Sequence, residues 1–146
     1  MLLRLRPATA DDLVLSYTIT EDAMRLYVEQ TWGRWNAEEQ LERHAQGFSP
    51  ESHRIIVSDE RDVGLVAVES DPTCVWLVKL YLLASHRGQG IGSQVLQDVV
   101  QGAHMQSKPV RLRVLRVNTR AKELYERHGF RVIDQTPERF FMEHGA

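Results

Sequence analysis

His86-Arg87-Gly88-Gln89-Gly90-Ile91-Gly92-Ser93 is the stretch on which the fold turns. Its glycines alternate at 88, 90 and 92, between an apolar run and an amphipathic one. The apolar run, residues 74–84, predicts a long strand covered on both faces. The amphipathic run puts Ile91, Val95, Leu96, Val99, Val100 and Ala103 on one stripe, which predicts a helix. Glycine admits backbone angles that turn successive N–H groups to one side. A concave row of such donors at a helix N-terminus suits a pyrophosphate, with Arg87 adding charge and Ser93 a hydroxyl. The same glycines also suit a turn that only lets strand and helix pack closely, and the segment alone leaves both readings open. No Gly-Lys-Ser/Thr ending is present, which excludes a P-loop. Val95 stands where a dinucleotide fingerprint has its last glycine, which disfavours NAD.

Downstream, Val110, Leu112 and Val114 alternate with Arg111 and Arg113 in a strand. Residues 118–128 predict a helix that Gly129 ends at positive φ. Asn118, Ala121 and Tyr125 stand at i, i+3 and i+7 on one face of it. Ala121 leaves room between two polar side chains for an extended ligand. Equally, Asn118 is a good helix cap and Tyr125 a good core residue. Residues 130–133 and 139–143 close the chain as strands around a turn at Pro137.

Upstream, Leu3, Leu5 and Pro7 alternate with Arg4 and Arg6 in a first strand, and Thr9 to Asp12 supplies capping residues. Residues 13–30 carry Leu13, Tyr17, Met24, Tyr27 and Val28 at helical spacing. Thr31-Trp32-Gly33-Arg34-Trp35 interrupts this helix, and Asn36 caps a second one over residues 37–46. Residues 53–58 and 63–69 flank a polar turn at 59–62 and predict a hairpin, followed by a turn at Asp71-Pro72. The order β, α, α, β, β, β, α, β, α, β, β predicts an α/β chain of α+β type around one mixed, mostly antiparallel central sheet.

Composition bounds the function. A chain of 146 residues without repeats or linkers predicts a single domain over residues 1–146. Lys plus Arg number 18 and Asp plus Glu 20, for a net charge of −2, which argues against nucleic acid as a partner. Apolar residues at 42% and charged residues at 26% describe a globular chain. One cysteine, Cys74, excludes an internal disulfide, and the 6 histidines form no HExxH, so no metal is expected. No run approaches the ~18 apolar residues of a membrane helix, and the charged N-terminus does not read as a signal peptide. A cytoplasmic location is the expectation.

The combined pattern resembles the GNAT superfamily of acetyl-CoA-dependent N-acetyltransferases. The resemblance rests on a strand, then R-x-x-G-x-G from Arg87 to Gly92, a helix and a strand, then Asn118, Ala121, Leu124-Tyr125 and His128-Gly129-Phe130. It covers about residues 80–132 by motif and nearly the whole chain by element order. It implies about seven strands flanked by four helices, with strands four and five splayed around the pantetheine arm of acetyl-CoA. Backbone groups of Leu80, Tyr81 and Leu82 would pair with that arm. Amides of Arg87, Gly88, Gln89, Gly90, Ile91, Gly92 and Ser93 would hold the pyrophosphate. Asn118 and Ala121 would line the cofactor, and Tyr125 would sit near the sulfur. The implied reaction is acetyl transfer to a primary amine by direct attack in a ternary complex. An acyl-CoA-binding module with little chemistry is the alternative.

Such a transfer needs a neutral amine, a stabilised oxyanion and a protonated thiolate. A lysine-like amine, with pKa about 10.4, is protonated at pH 7 and must lose its proton. Tyr125 is the candidate acid for the thiolate, and a backbone N–H near Leu80 the oxyanion donor by resemblance. Some family members carry a glutamate on the strand before the glycine loop. Here residues 75–84 hold no Asp, Glu or His, and Lys79 is the only charge. Glu69, at the end of the preceding strand, is the candidate base through water, against the plainer reading of a solvated strand end. Trp32 and Trp35 form either a wall for the acceptor or a packed helical corner. Arg111, Arg113 and Arg116 read as a solvated face. The acceptor is a small-molecule or protein amine, with the near-neutral charge favouring the former, and a monomer or homodimer fits either.

Overall fold

The computed structural model describes residues 2–145. Its elements run β1 (Leu3–Pro7), α1 (Leu13–Trp32), α2 (Ala37–Gly47), β2 (His53–Ser58), β3 (Arg61–Ser70) and β4 (Val75–Leu82). They continue as α3 (Ile91–Met105), β5 (Val110–Leu115), α4 (Thr119–Arg127), β6 (Arg131–Gln135) and β7 (Arg139–His144). The 7-stranded sheet has the order β1-β2-β3-β4-β5-β7-β6. The β4–β5 pair is parallel, while β1–β2, β2–β3, β5–β7 and β6–β7 are antiparallel. This is the mixed sheet with four helices that the resemblance implies. The chain divides into two compact units, Met1–Ala67 with Lys79–Gln89 and Val68–Val78 with Gly90–Ala146.

In the first unit, Asp59 and Glu60 turn the β2–β3 hairpin with φ of 49° and 67°. Two residues at positive φ match the twist of a tight hairpin. The expected turn at 59–62 is therefore shorter, because Arg61 and Asp62 already pair with Ser58 and Val57. Ala8, Ile19, Ile55, Val57 and Leu65 form a core against which Leu15, Phe48, Tyr81 and Leu83 pack. The buried line of α1 is Ser16 and Ile19, while Leu13, Tyr17, Met24, Tyr27 and Val28 are half-buried. Apolar residues spread around this helix, so their spacing does not single out its inner face. Gly33, at φ 97°, ends α1 after Trp32, and Asn36 caps α2 by accepting from the Glu39 amide at 3.1 Å. Arg6 grips Asp12 with both Nη atoms at 3.0 and 2.9 Å, and Asp12 also accepts from the Thr9 amide at 2.9 Å.

In the second unit, β5 pairs with β7 from Val110↔His144 to Leu115↔Arg139. Ile91, Val95, Leu96 and Ala103 are buried on α3. The start of β4 pairs with β5 from Val75↔Val110 to Leu77↔Leu112, and residues 78–82 continue beyond the last of these pairs. The strand is not covered on both faces as expected: Val75 and Leu77 are buried, but Trp76 is half-buried and Val78 exposed. Arg111 is not simply solvated either. Its Nε meets the buried Glu143 at 2.7 Å, and Arg131 meets the other carboxylate oxygen at 3.2 Å. Every residue of β6 is exposed, and its register with β7 slips between Val132 and Asp134. Among the described residues, no helix is long and apolar enough to cross a membrane.

Candidate active site

Gly64 sets the spacing of β4 in the first unit. A Cβ there would lie 2.5 Å from the Tyr81 carbonyl and 2.8 Å from Leu82, so any side chain would displace the strand. Leu80, Tyr81 and Leu82 are half-buried, and the Leu83 amide bonds the Val63 carbonyl at 2.9 Å. A 3-10 turn at Ala84–His86 follows. Asp22, on α1, fixes this turn by accepting from the Ala84 amide at 2.9 Å. Arg87 folds back, its Nε donating to the Leu82 carbonyl at 3.2 Å and its Nη2 lying 3.8 Å from the Asp22 carboxylate. The guanidinium thus braces the turn, and the charge expected at a pyrophosphate is engaged.

Gly88 and Gln89 end that unit, with Gly88 at φ 77°. Gly90 opens the second unit as the cap of α3, at φ 84°, where a Cβ would face open space. Among the described residues, the first amide of α3 with a backbone acceptor is Gln94, bonded to the Gly90 carbonyl at 3.1 Å. The Arg87 amide, expected among the pyrophosphate donors, is instead engaged by the Ala84 carbonyl at 3.3 Å, and the amides of residues 88–93 have no backbone acceptor. Amides that lack acceptors at the start of a helix are the kind of donor that an anion requires. Ser93 Oγ lies 3.0 Å from Nε2 of His128, at the C-terminal cap of α4.

On α4, Asn118 caps the helix by accepting from the Ala121 amide at 3.2 Å. This engages its Oδ1 in the cap. Ala121 is half-buried. Tyr125 is 8% exposed, and its ring lies 5.7 Å from that of Phe130. Helix spacing and the Gly129 stop, at φ 87°, fix where the phenol stands on the helix.

The remaining expectations divide. Glu69 is exposed on β3, in the second unit. Trp35 is 5% exposed, and its indole N–H donates to Glu21 at 2.9 Å, so it packs the corner between α1 and α2. Trp32 is 53% exposed. Lys79 lies 3.1 Å from Nε2 of His53, whose Nδ1 lies 2.7 Å from the Ser49 carbonyl. A carbonyl only accepts, so Nδ1 carries the proton and Nε2 accepts from the Lys79 ammonium. Asp71 accepts from the Cys74 amide, from the hydroxyl and amide of Thr73 and from the Trp76 indole, and these bonds hold its pKa below the ordinary carboxylate range. Sequence reasoning missed Asp22, His53 and any role for His128. Only His128 carried a signal, as part of the His128-Gly129-Phe130 run. Among the described residues, no group of three or more His, Cys, Asp or Glu side chains is placed to hold a metal.

Comparison with known proteins follows the same lines. A family model described as acetyltransferase (GNAT) domain matches residues 50–132. No curated protein matches the sequence. The PaiA N-acetyltransferase of Thermoplasma acidophilum, solved in complex with coenzyme A, is similar over 100% of both chains at 18% identity and TM-score 0.80. The ribosomal-protein-S18-alanine N-acetyltransferase of Escherichia coli is similar over 98% of this chain and 93% of that one, at 14% identity and TM-score 0.71. Arabidopsis thaliana Naa50, solved with the bisubstrate analogue CoA-Ac-MVNAL, covers 100% of both chains at 20% identity and TM-score 0.65. At these identities the likeness is one of fold.

Proposed function

Because the chain belongs to the GNAT acetyltransferase family, we propose that it transfers an acetyl group from acetyl-CoA to a primary amine by direct attack in a ternary complex. The observation that supports this most is the run of amides at 88–93 without backbone acceptors, opening onto α3. Those amides hold the pyrophosphate, and the backbone of Leu80, Tyr81 and Leu82 pairs with the pantetheine arm. Asn118 and Ala121 line the cofactor.

The chemistry follows from the charges to be managed. The amine gives its proton to water and thence to Glu69, whose exposed carboxylate is in contact with solvent. The amine nitrogen then bonds the acetyl carbon while a backbone N–H near Leu80 stabilises the oxyanion. As the C–S bond breaks, Tyr125 passes its phenolic proton to the thiolate, and the surplus proton left on the amide nitrogen returns through water to the tyrosinate. Trp32 offers the acceptor an exposed aromatic face, while Trp35 packs the corner between α1 and α2. The acceptor is a small-molecule amine, a class consistent with a net charge of −2. Protein amines are the second class, since the names of the Escherichia coli and Arabidopsis neighbours refer to a protein alanine and a peptide analogue.

Thermal melts with acetyl-CoA, CoA, NAD and ATP test the ligand. At a hundredfold excess over Kd the right one stabilises by about 2.7 kcal/mol. A preference for NAD overturns the reading. Thiol release from acetyl-CoA over a broad amine panel then tests the reaction. Tight CoA binding with no turnover on any amine makes the chain a binding module instead.

A further inference from the structure

The contact between Ser93 and His128 has a polarity that bears on the bound anion. Ser93 is the third residue of α3, within the run of amides that have no backbone acceptor. Its Oγ lies 3.0 Å from Nε2 of His128, which the C-terminus of α4 holds in place through the His128 amide bonded to the Tyr125 carbonyl at 3.1 Å. Both side chains belong to half-buried residues.

A serine hydroxyl has one proton and two lone pairs. If His128 Nε2 accepts, the serine proton is spent on the imidazole, and Ser93 turns only lone pairs toward an anion. If Nε2 carries a hydrogen, it donates to Ser93, and the serine proton is released for a phosphate oxygen. The second arrangement makes the hydroxyl a donor beside the amide donors of the same helix turn, and the first sets it against them. We propose that His128 is a positioning residue for the cofactor: its Nε2–H donates to Ser93 Oγ and thereby aims the serine proton at the pyrophosphate. This rests on the pyrophosphate reading of residues 88–93.

The experiment is calorimetric titration of CoA into the wild type, Ser93→Ala, His128→Leu, His128→Gln and the Ser93→Ala/His128→Leu pair, with melting temperatures recorded. Ser93→Ala and His128→Leu each weaken Kd about tenfold or more, the size of one hydrogen bond to a charged group. The double variant is no weaker than either single one, because the two residues act as one donor. His128→Gln, whose side-chain amide N–H replaces Nε2–H, returns Kd to within about twofold of wild type. Multiplying losses, unchanged affinity in His128→Leu, or no recovery in His128→Gln each overturn the inference. A nitrogen-15 NMR spectrum of the unliganded wild type checks it without any variant: the His128 ring shows a protonated Nε2, and a bare Nε2 overturns it. A wild type that binds no CoA overturns the functional reading itself, and this inference falls with it.

Discussion

The carboxylate of Asp22 accepts the amide hydrogen of Ala84 at 2.9 Å, across 62 residues of sequence. One oxygen on α1 thereby fixes the turn that leads from β4 into the glycine loop. The same carboxylate lies 3.8 Å from Arg87, whose Nε closes back on the Leu82 carbonyl.

Asp22→Ala removes that anchor. Its expected cost is about 1 kcal/mol of stability, the net worth of one partly exposed hydrogen bond, together with a severalfold rise in the Kd for CoA. Asp22→Asn keeps an acceptor for Ala84 and falls between. Urea unfolding and calorimetry on the three proteins check the order; equal CoA affinity in all of them would remove Asp22 from the cradle.

Tyr125→Phe deletes one oxygen from a ring that is otherwise packed against Phe130. Turnover falls about 10²-fold while the Kd for CoA stays nearly constant, the signature of a group needed only as the thiolate forms. Steady-state rates beside calorimetry separate the two. Unchanged kcat would show that another donor protonates the sulfur.

Gly90→Val confronts a φ of 84° with a β-branched side chain. The left-handed region costs such a residue roughly 1–2 kcal/mol. The added carbons stand in the open space before the α3 amides. CoA affinity falls by tenfold or more, well beyond the loss in melting temperature. Normal affinity in a folded Gly90→Val protein would contradict the cradle.

His44 gives the fold an acid limit. Burial, with Lys79 and His53 as neighbours, holds its pKa down to about 4. Nε2 sits 2.6 Å from the buried Ser16 Oγ, which itself donates to the Leu13 carbonyl. The unfolded ring titrates near its ordinary value of about 6.5. The unfolded chain therefore binds the proton first. The stability from a neutral His44 is complete above about pH 6.5 and is lost as pH falls toward 4, by roughly 1–3 kcal/mol. Unfolding free energies at several pH values check this, and His44→Phe flattens the profile across that window.

The elements were legible because their causes are local. Gly129 stops α4 and Asn118 caps it, and both can be read from a few neighbouring letters. The glycine loop was legible for the same reason, since Gly88 and Gly90 do adopt positive φ. What the sequence could not show is which of two identical residue types is buried. Trp32 and Trp35 stand three apart, and only the partners Tyr17 and Glu21, on α1, put Trp35 inside. Asp22, His53 and His128 are ordinary surface letters until folding carries them to partners 62, 26 and 35 residues away. The inner face of α1 was not legible because its buried line includes a serine, whose hydroxyl is satisfied by His44 and Leu13.

The slipped register of β6 has a consequence for the protein in crowded solution. An outermost strand with Val132 and Ile133 in water is an invitation to lateral stacking by another chain. The irregularity at Val132/Asp134 breaks the even ladder of donors and acceptors that such stacking would need, and Arg131 and Asp134 add charge along the rim. A ragged strand of this kind is a poorer template for another chain's edge than a regular one.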